Sequence, residues 1–202
     1  MKQNFFSGLM AGAMTFLIIP NQIVASLFFA TGIFLVFNFS NMLFTRVCPL
    51  MAATKEYHLK DLIVAWFGNG VGAFLVATLV HFCRFESKIL ERLQPIVDTK
   101  LADSPLSLFI MGIICALFVS YAVLLGKKYP VGSFPQIFYV WLLITAFVFG
   151  GYDHIVANMY YLSAYGWAFG VQVMPFLKVL GIVTAGNVVG GLLIGSLEKK
   201  HL

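Results

Sequence analysis

The segments GNGVGAFLV (residues 68–76) and GNVVGGLLI (residues 186–194) repeat one pattern 118 residues apart: Gly-Asn, then Val-Gly, a small residue and an aliphatic end. Glycines alone would signal only close helix packing, since small residues let helices approach one another in a membrane. Asparagine is unnecessary for that, and its recurrence beside the glycines points to a duplicated structure. Both segments sit in runs free of Asp, Glu, Lys and Arg, residues 62–83 and 179–197, and similar runs cover 3–45, 104–126, 129–152 and 154–177. A spanning helix needs about 20 apolar residues. The first run holds two helices divided at Pro20-Asn21-Gln22, which gives six spans near 4–19, 22–41, 62–83, 104–126, 132–161 and 172–195. The repeat pairs the third span with the sixth, so residues 1–202 form one transmembrane domain with halves of about 1–100 and 101–202. A half with three spans must insert upside down relative to its partner. Inverted repeats with interrupted helices at the midplane are a hallmark of transport proteins.

Composition agrees with a polytopic membrane protein. The chain is 60% hydrophobic and 10% charged, with mean hydropathy +0.92, whereas soluble domains carry about 25% charged residues. The longest polar stretch, residues 84–103, reads as a loop. The opening MKQNFFSGLMAGAMTFLII reads as a span rather than a cleaved signal, because no small-x-small site is suitably placed. Cys48, Cys83 and Cys115 lack metal-ligand spacing and are expected as buried thiols. The net charge of +5 sets orientation rather than nucleic-acid binding. With the N-terminus inside, Lys2, Lys55, Lys60, Lys127, Lys128, Lys199 and Lys200 are cytoplasmic. The outer loops carry Arg84, Lys88, Arg92, Lys100 and Lys178, diluted by Glu86, Glu91, Asp98 and Asp103. This modest positive-inside bias places both termini in the cytoplasm.

Two spans are interrupted by polar residues. VFNFSNMLFTRVCPLMAAT, in the second, contains Asn38, Ser40, Asn41, Thr45, Arg46 and Pro49. Non-helical backbone at membrane depth must be buried in protein or line a cavity. In the fifth, GGYDHIVANMYY (residues 150–161) sets Asp153 beside His154, and an ionised Asp centred in a membrane helix costs roughly 2.5–3.5 kcal/mol on insertion scales. The offset of the repeat brings NMLFTRVCP loosely opposite DHIVANMYY. Both breaks are therefore expected to face each other, as in a pore. On a helix Asp153 points about 100° away from His154, so Asp153 is expected to tie the broken helix and His154 to meet the permeant. Asn158, four residues on, shares the face of His154 if the helix continues. Arg46 stands near a cytoplasmic opening, either as a free charge or as half of a structural ion pair.

These residues resemble the formate/nitrite transporter family. FGGYDHIVANMYYLS is similar to its fifth-helix signature, NMLFT to the Leu-Phe-Thr of the loop interrupting helix two, and GNGVGA and GNVVGG to its Gly-Asn motifs in helices three and six. KLADSPLSLFIMGIICALFVSYAV resembles the stretch joining a vestibular lysine to helix four. The likeness covers essentially all six spans. It implies an all-α membrane protein, six transmembrane helices in an aquaporin-like inverted three-helix repeat with helices two and five interrupted. It also implies a homopentamer with one pore per protomer, in the bilayer of a bacterial cytoplasmic (inner) membrane. Lys100 takes the place of the vestibular lysine and His154 that of the central histidine. Leu43, Phe44 and Thr45 match the loop at the inner constriction; Phe147 matches an outer-constriction phenylalanine, with Ile33 as the weaker candidate for its partner. GIICA puts Ala116 where the family often has asparagine, and the family's N-terminal amphipathic segment is expected to be missing.

The implied permeants are small monovalent weak-acid anions, formate foremost, then nitrite and hydrosulfide, moving through a channel or with protons. An ion crosses a dry apolar constriction at high cost, the neutral acid cheaply. Lys100 in an outer mouth can concentrate anions, low dielectric favours the neutral acid, and His154 can donate a hydrogen bond or a proton. A neutral-solute channel of the urea or glycerol type shares the inverted plan, but no Asn-Pro-Ala pair occurs. An enzyme is not expected, because the spans offer one histidine and one aspartate at mid-depth and no metal spacing. A structural scaffold would not need two polar breaks. No cofactor and no metal are expected.

Overall fold

The computed structural model describes residues 21–201, all helices and connections; the expected first span near 4–19 lies outside them. Helix α1 (Gln22–Asn38) starts at Asn21, whose side chain accepts from the Val24 amide at 3.1 Å. It stops at Ser40, held at φ +52°, and the chain resumes as α2 (Phe44–Ala53). Helix α3 (Leu59–His81) opens with a capping box in which the His58 amide donates to Asp61 at 2.8 Å. Helix α4 (Glu86–Ala102) replaces the expected loop at 84–103. Its polar composition conceals Ile89, Leu93 and Val97, buried at a spacing of one helical turn, and such a stripe seats an amphipathic helix on its neighbours.

Helix α5 (Pro105–Lys128) is capped by Ser104, which accepts from the Ser107 amide at 3.2 Å. Helix α6 (Phe134–Phe149) ends at a second break, where Gly151 takes φ +70°. Helix α7 (Ile155–Phe169) follows, and α8 (Val173–Glu198) closes the fold. Helices α3, α5 and the α8 segment are long and apolar enough to cross a membrane. The pairs α1/α2 and α6/α7 are the interrupted second and fifth spans. The fifth runs to Phe169 instead of stopping near 161 as expected.

Helix α8 is the post on which the rest leans. A methyl group on Gly186 would meet the Phe109 carbonyl oxygen at 2.5 Å and Gly112 at 3.1 Å, both α5 backbone. One on Gly195 would meet the Pro49 carbonyl oxygen of α2 at 2.3 Å. The glycines thus let α5 and α2 approach α8 at backbone distance, as small residues do between membrane helices. Across the molecule, Trp66 Nε1 of α3 donates to Thr184 Oγ1 of α8 at 3.0 Å, and these two residues are separated by the 118 residues of the repeat. Gly186→Ala is expected to lower the melting temperature in detergent, since overpacking costs about 1–3 kcal/mol. Gly181→Ala, with nothing within 4 Å of the added carbon, should leave it unchanged.

Candidate functional site

The asparagines of the repeat hold the two breaks. Asn69 of α3 and Asn187 of α8 are fully buried. Asn69 Oδ1 accepts from the Phe44 amide at 2.8 Å while its Nδ2 donates to the Met42 carbonyl at 3.1 Å. Asn187 Oδ1 accepts from the Ile155 amide at 2.9 Å, and its Nδ2 donates to the carbonyls of Asp153 (2.9 Å) and Gly112 (2.8 Å). Each asparagine therefore satisfies the first amide of a half-helix and the carbonyl two residues before it. Without water, each such group left unpaired costs several kcal/mol. The register differs from the expected one. Asn69 lies 25 residues after its amide partner and Asn187 32 residues after, so the breaks do not follow the offset of the Gly-Asn motifs.

Leu43 and His154 occupy equivalent positions, as the residues capping α2 and α7. Leucine offers no acceptor; His154 Nδ1 accepts from the Ala157 amide at 3.3 Å. An acceptor Nδ1 leaves the proton of the neutral ring on Nε2. Nε2 faces Thr45 Oγ1 at 2.8 Å, so His154 donates to Thr45 and the two half-helix starts meet there. Both N-termini carry the positive ends of their helix dipoles. The meeting point of the breaks is thus a place that suits negative charge.

Above this contact lies a cavity of about 770 Å³ whose walls include Phe29, Lys100, Phe147, Asp153, His154 and Asn158. Phe147 packs tilted against the His154 ring at 5.7 Å between centroids. Its partner across the floor is Phe29, edge-on at 5.8 Å, and not Ile33. Ile33 is buried but does not line the cavity. The two residues share a face of α1 one turn apart, and only the aromatic ring of Phe29 could have marked it among 21 phenylalanines. Leu43, Phe44 and Thr45 are buried and lie outside the cavity wall, with Thr45 touching it through His154.

Asp153 departs from expectation, and it pairs with Lys100 on the cavity wall. Asp153 belongs to the break rather than to a helix, so the 100° rotation does not apply and its carboxylate sits on the cavity wall. Lys100 Nζ donates to Asp153 Oδ1, with the two side chains 11% and 3% exposed. Asn158 Nδ2 donates to the same oxygen at 2.9 Å, whereas Asn158 Oδ1 is buried with no partner. The lysine therefore meets the cavity as half of an ion pair with Asp153. Ala116 is buried against Gly190, and the amide next to Asp153 comes from Asn158 instead. Tyr152 and Tyr161 line the cavity; Tyr160 is fully buried away from it.

Asn187→Leu is expected to speed hydrogen exchange of the Ile155 amide by about tenfold or more in detergent, since a buried unsatisfied group costs about 1–3 kcal/mol. The same substitution at Asn69 should act at Phe44 and leave Ile155 unaffected. Exchange that rises uniformly along the chain in either variant would contradict the assignment of one asparagine to each break.

The family model described as Formate/nitrite transporter matches residues 2–198. An uncharacterized transporter of Saccharomyces cerevisiae is 30% identical over 90% of this chain and 31% of its own length. The formate channel FocA of Haemophilus influenzae is 25% identical over 90% of this chain and 74% of its own. The chain spans about a third of the length of the first relatives it matches, among them a formate-nitrite transporter of Plasmodium knowlesi. Two solved structures share the fold. A chain titled FNT family ion channel superposes with TM-score 0.84 at 20% identity, covering 99% of this chain and 88% of that one. A pentameric formate channel with formate bound superposes with TM-score 0.79 at 21% identity, covering 95% and 91%.

Proposed function

Because the chain belongs to the formate/nitrite transporter family, we propose that it passes small monovalent weak-acid anions, formate foremost, across a membrane. The observation that carries this reading is the Thr45–His154 contact at 2.8 Å, a polar junction of two half-helix N-termini beneath a cavity floored by two phenylalanines. An anion gathers in the cavity, where the Asp153-bound Lys100 and the unpaired Asn158 Oδ1 supply polar groups. Between Phe29 and Phe147 the surroundings turn apolar, and low dielectric favours the protonated acid. His154 Nε2–H, now donating to Thr45, is the donor the permeant meets as it replaces the hydroxyl. The carboxyl of a formic acid molecule can donate to Asn158 Oδ1, a buried acceptor of a cavity-lining residue that has no partner.

In this reading each protomer is a pore of a homopentamer, both termini are cytoplasmic and the membrane is a bacterial inner membrane. A solved neighbour is titled a pentameric formate channel with formate bound, which supports both the assembly and the anion. Nitrite has the same planar, two-oxygen shape as formate and fits the same route.

The test is protein-dependent flux in liposomes of formate, nitrite, hydrosulfide and urea between pH 8 and pH 5. Formate flux is expected to rise as pH falls while urea is excluded. His154→Ala should reduce it about tenfold or more, the size of one lost hydrogen bond to a charged group. Urea flux indifferent to pH would replace this reading with a neutral-solute channel.

A further inference from the structure

Arg46 is the only charged residue between Gln22 and Ala53. It follows Thr45, the residue that accepts from His154, and is not part of the cavity wall. Its side chain is half-buried. The Nη1 group donates to the Tyr57 hydroxyl at 3.0 Å and, at 3.4 Å, to the Asn41 carbonyl, and the guanidinium lies 5.9 Å from the centre of the Tyr57 ring. Tyr57 belongs to the turn after α2 and Asn41 to the break before it. The ion pairs among the described residues are His81–Glu86, Lys100–Asp153 and Lys127–Glu56, so Arg46 has no carboxylate and the acid nearest in sequence, Glu56, is taken by Lys127. Neutral oxygens hold one edge of the guanidinium and leave its charge uncompensated.

Cations kept inside a membrane span pair with an acid or a backbone carbonyl and mark substrate or ion pathways; Arg46 is held by the Asn41 carbonyl and the Tyr57 hydroxyl, with no acid among the described residues. We propose that Arg46 is an inner anion subsite that favours planar anions with two oxygens, carboxylate or nitrite, over a single-centre anion such as hydrosulfide. The guanidinium is a rigid fork whose parallel N–H groups match two oxygens in one plane. Tyr57 and Asn41 fix the Nη1 edge, which turns the fork into a preorganised receptor instead of a mobile point charge. An ion with one acceptor atom meets the same positive charge but gains nothing from the second donor. The subsite therefore discriminates by shape, beyond the attraction that any cation would exert. It rests on the reading that the permeant passes between Thr45 and His154.

The experiment compares protein-dependent fluxes of formate and hydrosulfide at one alkaline pH in liposomes carrying the full chain, Arg46→Gln or Arg46→Lys, each checked for a monodisperse helical state in detergent. In Arg46→Gln the formate-to-hydrosulfide ratio is expected to fall about tenfold, the size of one charge-assisted hydrogen bond. Arg46→Lys keeps the charge and loses the fork, so the ratio falls there too while hydrosulfide flux is retained. Where Arg46→Gln does not fold, the lysine variant decides. An unchanged ratio in the folded variants, or equal loss of both fluxes, overturns the proposal while formate flux in the unmodified chain keeps the wider reading intact. No flux of either anion in the unmodified chain overturns both.

Discussion

Two side-chain amides carry the architecture. A polypeptide that leaves the helix at membrane depth exposes amides and carbonyls that lipid cannot satisfy, and Asn69 and Asn187 take up those groups at residues 42–44 and 153–155. Everything at the centre depends on this. The breaks can stay open only because each is tied to an uninterrupted helix, and only tied breaks can bring Thr45 to His154. Asn187 also reaches the Gly112 carbonyl of α5, so this tether joins three elements.

Glycine sets the distances over which those tethers work. At Gly186 and Gly195 the backbones of α5 and α2 come closer to α8 than any side chain would permit. A longer approach would lift Asn187 away from Gly112 and α2 away from its place beside the α8 post. The cavity is then a consequence of the breaks: α6 stops at Phe149, the chain turns through Gly151, and Asp153 and His154 fall on the wall instead of inside a helix. Helix α4 completes it from the side by delivering Lys100 to Asp153.

The membrane class, the inverted plan and the paired breaks were legible because they rest on signals that survive in any context: charge-free runs and polar residues where lipid forbids them. The Gly-Asn motif also pointed to its own purpose, since packing does not need an amide. Helix α4 was hidden because mean polarity masked three apolar residues at helical spacing. Helical periodicity misplaces Asp153, because it does not hold through a break where no helix exists. Local pattern does not separate Phe29 from Ile33, because the two share a face of α1 and only their tertiary contacts decide which meets Phe147. The register of the two breaks depends on the 25- and 32-residue separations between break and tether, a difference that lies in connections and not in motifs.

Lys100, His154, Asn158 and Phe147 do converge on one cavity, and the unforeseen feature is how they are coupled. One carboxylate oxygen of Asp153 serves both Lys100 and Asn158, which leaves Asn158 Oδ1 open. Charge near the breaks is thereby balanced on the cavity side and unbalanced at Arg46. The most direct measurement of this arrangement is an electron cryo-microscopy structure of the chain in lipid nanodiscs with formate present. Thr45 Oγ1 and His154 Nε2 are expected within reach of each other or of one shared anion, with Asn69 and Asn187 on their breaks and the anion on the line from the cavity to that contact. Helices running unbroken through residues 39–43 and 150–154, or formate lodged away from that line, would contradict it.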